Sequence, residues 1–207
     1  MTAQPDYDRH ARLYDRLIAN RVYNRLAWGV DPARYAAFTA EAVASGSGPM
    51  LDVGCGTAVF SAAAYRAASR PLTLVDGSAG MLARAGERLA ATTVELVQAD
   101  LFALPFAPGG FETVGCFAML HVLDDPWAGL LALRPQLAPG GSLFVSMLVA
   151  DGARRSRAYL RALHRRGEVG PPRSADELHA AAVPLFGDDL TVERVGAMAF
   201  LRARVAT

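Results

Sequence analysis

The chain has 207 residues, is 52% hydrophobic and 20% charged, and carries a net charge of +1. That composition fits one globular domain with its own core and excludes a polybasic nucleic-acid surface, and no apolar run has the length of a bilayer span. Two cysteines, Cys55 and Cys116, lack metal-ligand spacing, and the absence of lysine removes a Schiff-base mechanism and a phosphate-loop lysine.

The first stretch, MTAQPDYDRHARLYD, is polar and charged, so it does not read as a secretory signal, and a reduced, cytoplasmic setting is expected. Residues 6–44 read as two or three helices, with Tyr7, Leu13, Leu17 and Ile18 at helical spacing. Asp31-Pro32 opens one of them, the aspartate as cap and the proline at the first helical position. Ser45-Gly46-Ser47-Gly48-Pro49 then breaks the chain.

Beyond the break, strands and helices alternate. Strands are predicted at Met50–Val53, Leu72–Val75, Val94–Val97, Phe111–Phe117 and Ser142–Val149. Helices are predicted at Thr57–Ala68, at Ser78–Leu89 with Ser78 as cap, and at Pro126–Leu137. Residues 153–166 and 174–183 read as further helices, and Leu190–Val195 and Ala199–Val205 as two strands joined by a turn at Gly196. These last two are too close for a crossover helix and must pair antiparallel. The expected fold is α/β: a Rossmann-like, doubly wound, seven-stranded, mostly parallel sheet with an antiparallel edge. As one domain it divides into an N-terminal helical cap (1–48), a core (49–149), and C-terminal helices with an edge hairpin (150–207).

The stretch LDVGCGTA (51–58) places Asp52, Gly54 and Gly56 where the first strand hands over to a helix. Glycines there permit a tight turn and close approach of a ligand, and a helix starting near Thr57 would aim its first N–H groups at the turn. Alone, the pattern serves equally well as a structural turn or a dinucleotide site. Asp76 ends the next strand about 20 residues on, where a carboxylate can accept both hydroxyls of a ribose. Asp100 follows the third strand and can accept from an adenine amino group, with the Leu101 N–H near a ring nitrogen and Met81 as an apolar face. Each has a plainer alternative: a helix or loop cap for the two aspartates, core filler for the methionine. Together they mark three consecutive carboxyl ends of parallel strands, where ligands bind in such sheets.

With these pieces in order, LDVGCGTA, VDGSAGMLARA, QADLFALPFAPGGFETV, AMLHVLDDP and LAPGGSLFVS, the sequence resembles class I S-adenosylmethionine-dependent methyltransferases. The resemblance runs from residue 50 to about 148 and is closest to the small-molecule branch that includes quinone-biosynthesis methyltransferases. It implies S-adenosylmethionine as cofactor, Asp52, Gly54, Cys55 and Gly56 along its methionine part, and Asp76 on the ribose. It implies Asp100 and Leu101 on the adenine, flanked by Gly77 and Met81, with Phe117 walling the methionine end. Helices at the start would fold over the cofactor, with Tyr7 or Tyr14 reaching its carboxylate. The chain departs from the family's pattern at Ala58, where many relatives carry a third glycine, and at Glu112, where the fourth strand usually begins with aspartate.

Methyl transfer needs a base only when the acceptor must lose a proton. His121, just beyond the fourth strand, is the candidate; its alternative is a structural histidine bonded to backbone. No carboxylate cluster has magnesium spacing, so no metal is expected. The fourth strand ends GCFAML, without an Asn/Asp-Pro-Pro-aromatic motif and without proline before Cys116, which argues against amino methylation and against cytosine-carbon methylation. Arg154, Arg157, Arg161 and Arg165 share one helical face, read here as solvated rather than as an RNA or anion dock. Tyr7, Tyr14, Tyr23 and Trp28 either wall an acceptor pocket or staple the N-terminal helices onto the domain. The expected partner is a small-molecule methyl acceptor, with no nucleic acid and no membrane; monomer and homodimer both stay open. A non-catalytic S-adenosylmethionine-binding protein and a nicotinamide-dependent oxidoreductase are the competing readings.

Overall fold

The computed structural model describes residues 18–206. Two helices come first, α1 (Arg21–Ala27) and α2 (Pro32–Ala44). Asp31 caps α2 through the Ala33 N–H, with Pro32 at the first position, as the sequence predicted. Then follow β1 (Met50–Val53), α3 (Ala62–Ala67), β2 (Leu72–Asp76), α4 (Ala79–Arg88), β3 (Glu95–Gln98) and β4 (Phe111–Phe117). The chain closes with α5 (Pro126–Leu133), β5 (Leu137–Leu148), α6 (Arg154–Arg165), α7 (Ala175–Phe186), β6 (Leu190–Val195) and β7 (Met198–Arg204).

The seven strands stand in the order β3-β2-β1-β4-β5-β7-β6. Pairing is parallel from β3 through β5 and antiparallel where β7 lies between β5 and β6. The order reverses between β1 and β4, and the chain therefore leaves a crevice beyond the carboxyl ends of these strands.

Strand residues alternate between two cores, as a pleated sheet requires. Leu51, Val53, Val75, Val114, Cys116, Leu143, Val145, Ala199 and Leu201 meet α5 and α7. Met50, Leu72, Leu74, Phe144, Met198 and Phe200 meet α2, α3, α4 and α6. Phe38 of α2 is fully buried there, edge-on to Phe117, Phe144 and Phe200 at ring separations of 5.9, 5.6 and 5.0 Å. By the same alternation Asp52, between Leu51 and Val53, enters the α3 side.

The end of the sheet away from the crevice is tied down by Arg70, whose side chain is 2% exposed. Its guanidinium donates to the carbonyls of Val43 and Gly48 at 3.2 and 2.6 Å and to Glu112 Oε2 at 3.2 Å. Glu112 also accepts the Gly48 N–H. The departure from aspartate at position 112 thus serves a structural latch, outside the crevice.

Candidate functional site

The β1 turn differs from the predicted helix start. Ala58 adopts φ +55°, a left-handed conformation that ends any helix, and α3 begins only at Ala62. The Ser61 and Ala62 N–H groups both donate to the Ala58 carbonyl, at 3.1 and 2.9 Å, so neither is offered to the turn. Ala58 holds the backbone shape that glycine would hold, and its methyl is buried.

Within the turn, the Gly54 and Cys55 N–H groups both donate to the Val75 carbonyl, at 2.8 and 3.0 Å. The Gly56 N–H donates to Asp76 Oδ2 at 2.8 Å, and the Ser78 N–H to Asp76 Oδ1 at 2.9 Å. Asp76 thus clamps the β1 turn to the β2 turn. With its N–H groups committed, the turn offers room. At Gly56, φ is +55° and a Cβ would meet nothing within 4 Å; at Gly54 it would strike Met119 Cγ at 2.5 Å. The first glycine admits Met119; the second faces open space among the described residues, room that a ligand cradle requires.

Beneath the turn lies Asp52, 1% exposed, whose Oδ2 accepts the Tyr65 hydroxyl at 2.6 Å. Its Oδ1 is buried with no hydrogen-bond partner among the described residues. Burial pushes the carboxyl up to about 7, against the Tyr65 bond and helped by the charge of Asp76. Burial likewise raises the Cys55 and Cys116 thiols well above the usual range, so both are neutral.

At the β3 end, Asp100 is exposed and accepts the Phe102 N–H at 2.8 Å, capping a short turn of 3-10 helix over Leu101–Ala103. The Leu101 side chain is buried. The Gln98 amide donates to the Gly77 carbonyl at 3.1 Å, joining the β3 and β2 ends. Met81 is buried in the first turn of α4, where Ser78 caps its N–H as predicted. The structure thus gathers Asp52, Gly54, Cys55, Gly56, Asp76, Gly77, Met81, Asp100 and Leu101 at the ends of three adjacent strands. Tyr7 and Tyr14 lie outside the described residues.

Phe117 ends β4 with its ring folded back over Gly115, so it bounds the crevice from the α2 side. Past it, Ala118 also has φ +55°, its N–H donating to the Ser146 carbonyl at 2.8 Å. That kink carries Met119 over Gly54. His121 sits on the next turn, where its Nδ1 accepts the Leu148 N–H at 3.4 Å. Burial pushes its pKa down to about 4. The ring is therefore neutral at ordinary pH, with its proton on Nε2. This geometry supports the alternative of a histidine holding backbone more than the predicted general base.

Tyr23 and Trp28 act as the staple. Trp28 stacks on Tyr159 of α6 at 5.1 Å, and the Tyr23 and Tyr159 hydroxyls share a hydrogen bond at 3.2 Å. Arg154, Arg157, Arg161 and Arg165 are all exposed on α6.

Residues 51–145 match the methyltransferase-domain family. The chain carries a class I methyltransferase domain. The domain's strand order and its crevice fit that assignment. An uncharacterized protein of Synechococcus sp. is 36% identical over 137 residues, covering 64% of this chain and 33% of that protein. A ubiquinone biosynthesis O-methyltransferase of Xanthomonas campestris is 32% identical over 114 residues, 54% of this chain and 47% of the relative. The chain thus spans half or less of these two relatives. In fold, an S-adenosylmethionine-dependent methyltransferase of Thermotoga maritima superposes with a TM-score of 0.70, covering 96% of this chain and 97% of that one at 18% identity. The described residues of the methyltransferase domain have the chemistry that S-adenosylmethionine calls for: among them, a buried carboxylate oxygen without a partner and open space over Gly56.

Sequence reasoning missed Tyr65, Ala118, Met119 and Ser146. The signal for Tyr65 was present: a buried aspartate needs a donor, and the first helix after it contains one tyrosine. The other three depend on a kink that alanine does not announce.

Proposed function

We propose that this protein transfers a methyl group from S-adenosylmethionine to a small-molecule acceptor. The observation that carries the reading is the cradle over Gly56, open among the described residues, set beside a buried carboxylate oxygen that none of the described residues completes. In this reading Asp52, Gly54, Cys55 and Gly56 line the methionine part, Asp76 accepts from the ribose, and Asp100 and Leu101 meet the adenine between Gly77 and Met81. Phe117 and Met119 close the methionine end.

When bound, the cofactor supplies a sulfonium-activated methyl group, open to in-line displacement by an acceptor atom. The protein's own residues orient and dry the reactants. In-line displacement needs no covalent intermediate on the protein. His121 is neutral and carries its proton on Nε2, so it positions the β4 and β5 ends and an acceptor brings its own nucleophile. The named O-methyltransferase relative supports a small acceptor.

Two measurements test the reading. Calorimetry with S-adenosylhomocysteine and with NAD should give binding of the first alone. Incubation with methyl-labelled S-adenosylmethionine and a metabolite extract should move label into a small molecule. Affinity without label movement would make the protein a binder; NAD binding alone would end the reading.

A further inference from the structure

Asp52 and Tyr65 form a pair whose chemistry goes beyond lining the cofactor. On β1, Asp52 points into the core face covered by α3, and there the fully buried Tyr65 donates to its Oδ2 at 2.6 Å. Oδ1 is left buried and without a partner among the described residues. An unpaired carboxylate oxygen in an interior is strongly unfavourable and points to a ligand that completes it. The groups that act on this carboxyl are Tyr65 from α3, Cys55 from the turn, Asp76 from β2 and Cys116 from β4. Each is neutral or negative. Arg88 from α4 gives its guanidinium to the Thr57 carbonyl. Among the described residues no cation reaches Oδ1, so the cationic group of a ligand fits as its missing partner.

We propose that Tyr65 is a positioning residue: by holding Oδ2 of Asp52 it keeps the carboxylate charged and oriented so that Oδ1 takes the ammonium group of the cofactor, and cofactor uptake is thereby linked to loss of a proton from Asp52. The inference rests on the methyl-transfer reading above. Without the cofactor, burial and Asp76 hold the Asp52 carboxyl up at about 7, while the Tyr65 bond pulls it down. An ammonium group beside it would pull it down further. Affinity should then rise with pH as Asp52 ionises in the free protein, and fall again once the ligand's own ammonium group loses its proton.

The test is calorimetry on the full chain between about pH 6 and 8 with two ligands. S-adenosylhomocysteine carries the ammonium group; methylthioadenosine carries the same adenosine without it. The wild type should bind the first several-fold more tightly at the upper pH, with close to one proton released on binding at the lower pH and almost none at the upper, and the second equally at both. Tyr65→Phe should move the rise to higher pH and weaken the first ligand several-fold near neutrality, leaving the second unchanged. Asp52→Asn, which still offers Tyr65 an acceptor, should bind the first weakly with no pH dependence, and it decides the matter if Tyr65→Phe does not fold. A pH-independent wild type that binds both ligands would overturn the inference alone, as would a folded Tyr65→Phe with the wild-type profile. A wild type that binds neither would overturn the methyl-transfer reading and this inference with it.

Discussion

Asp76→Ala separates two roles of one carboxylate. In the protein, that side chain accepts the Gly56 N–H at 2.8 Å and the Ser78 N–H at 2.9 Å, binding the first two turns to each other. Hydrogen bonds to charged groups are each worth about 1.5–3 kcal/mol, and the site is half-buried, so the lower figure applies. Losing both should cost about 3 kcal/mol of folding stability. In urea this reads as a fall in midpoint at constant slope. Loss of the ribose acceptor should add a separate penalty of about 1–3 kcal/mol on S-adenosylhomocysteine binding, or roughly 5- to 150-fold in Kd. Titration must be done where the variant is fully folded, so that the two effects do not mix. An unchanged urea midpoint would refute the clamp. A lowered midpoint with wild-type Kd would refute the ribose assignment and leave the aspartate a purely structural tie.

Other perturbations follow from the same geometry. His121→Gln should leave methyl transfer within a few-fold of wild type, because the neutral ring serves the backbone; a loss of about a hundredfold or more would restore it as a general base. His121 also sets an acid limit. Its pKa is lowered from 6.5 to about 4 in the fold, so its contribution to stability is complete above the unfolded value and is lost as pH falls from 6.5 through 4. Denaturant midpoints of wild type and His121→Gln should converge across that window. Asp52 has the opposite sign: raised to about 7 from 3.8, its contribution is present at acid pH and lost as pH rises through 7. Asp52→Asn should therefore stabilise the cofactor-free protein by roughly 2–4 kcal/mol at about pH 8 and have little effect near pH 4. Arg70→Met, removing several carbonyl contacts and the Glu112 pair, should lower stability by about 2–4 kcal/mol without changing Kd for the cofactor product.

Much of this architecture was legible because its signals are local. Short apolar runs ending in Asp52, Asp76 and Phe117 marked the strands, and the glycine spacing marked the turn. Ser78 and Asp31 marked helix starts through side chains that reach only two or three residues ahead. What escaped depends on contacts far along the chain. TAVFSAAAYRA is helical by propensity, yet Ala58 and the turn around it delay the helix to Ala62, because the loop must fit under Asp76 rather than follow alanine's preference. The hairpin at Gly196 was visible, but its insertion with β7 against β5 was not, since pairing choice lies in the sheet as a whole. Strand β5 begins at Leu137 rather than Ser142, the Pro139-Gly140-Gly141 segment running within the strand across a register shift opposite β4. The Asp52–Tyr65 pair was hidden for the same reason: 13 residues and a tight turn separate the partners.

The Arg70 latch has a consequence for how the molecule breathes. With one buried guanidinium gathering backbone from the end of α2 and the α2–β1 link and the Glu112 carboxylate of β4, the amino ends of the central strands share an anchor. Amide protons there should exchange with deuterium only through rare, large-scale opening, whereas those around Gly56 and Met119 should exchange through small local fluctuations. Adaptation to ligands of different shape is thereby confined to one rim of the molecule, and the opposite rim acts as its fixed base.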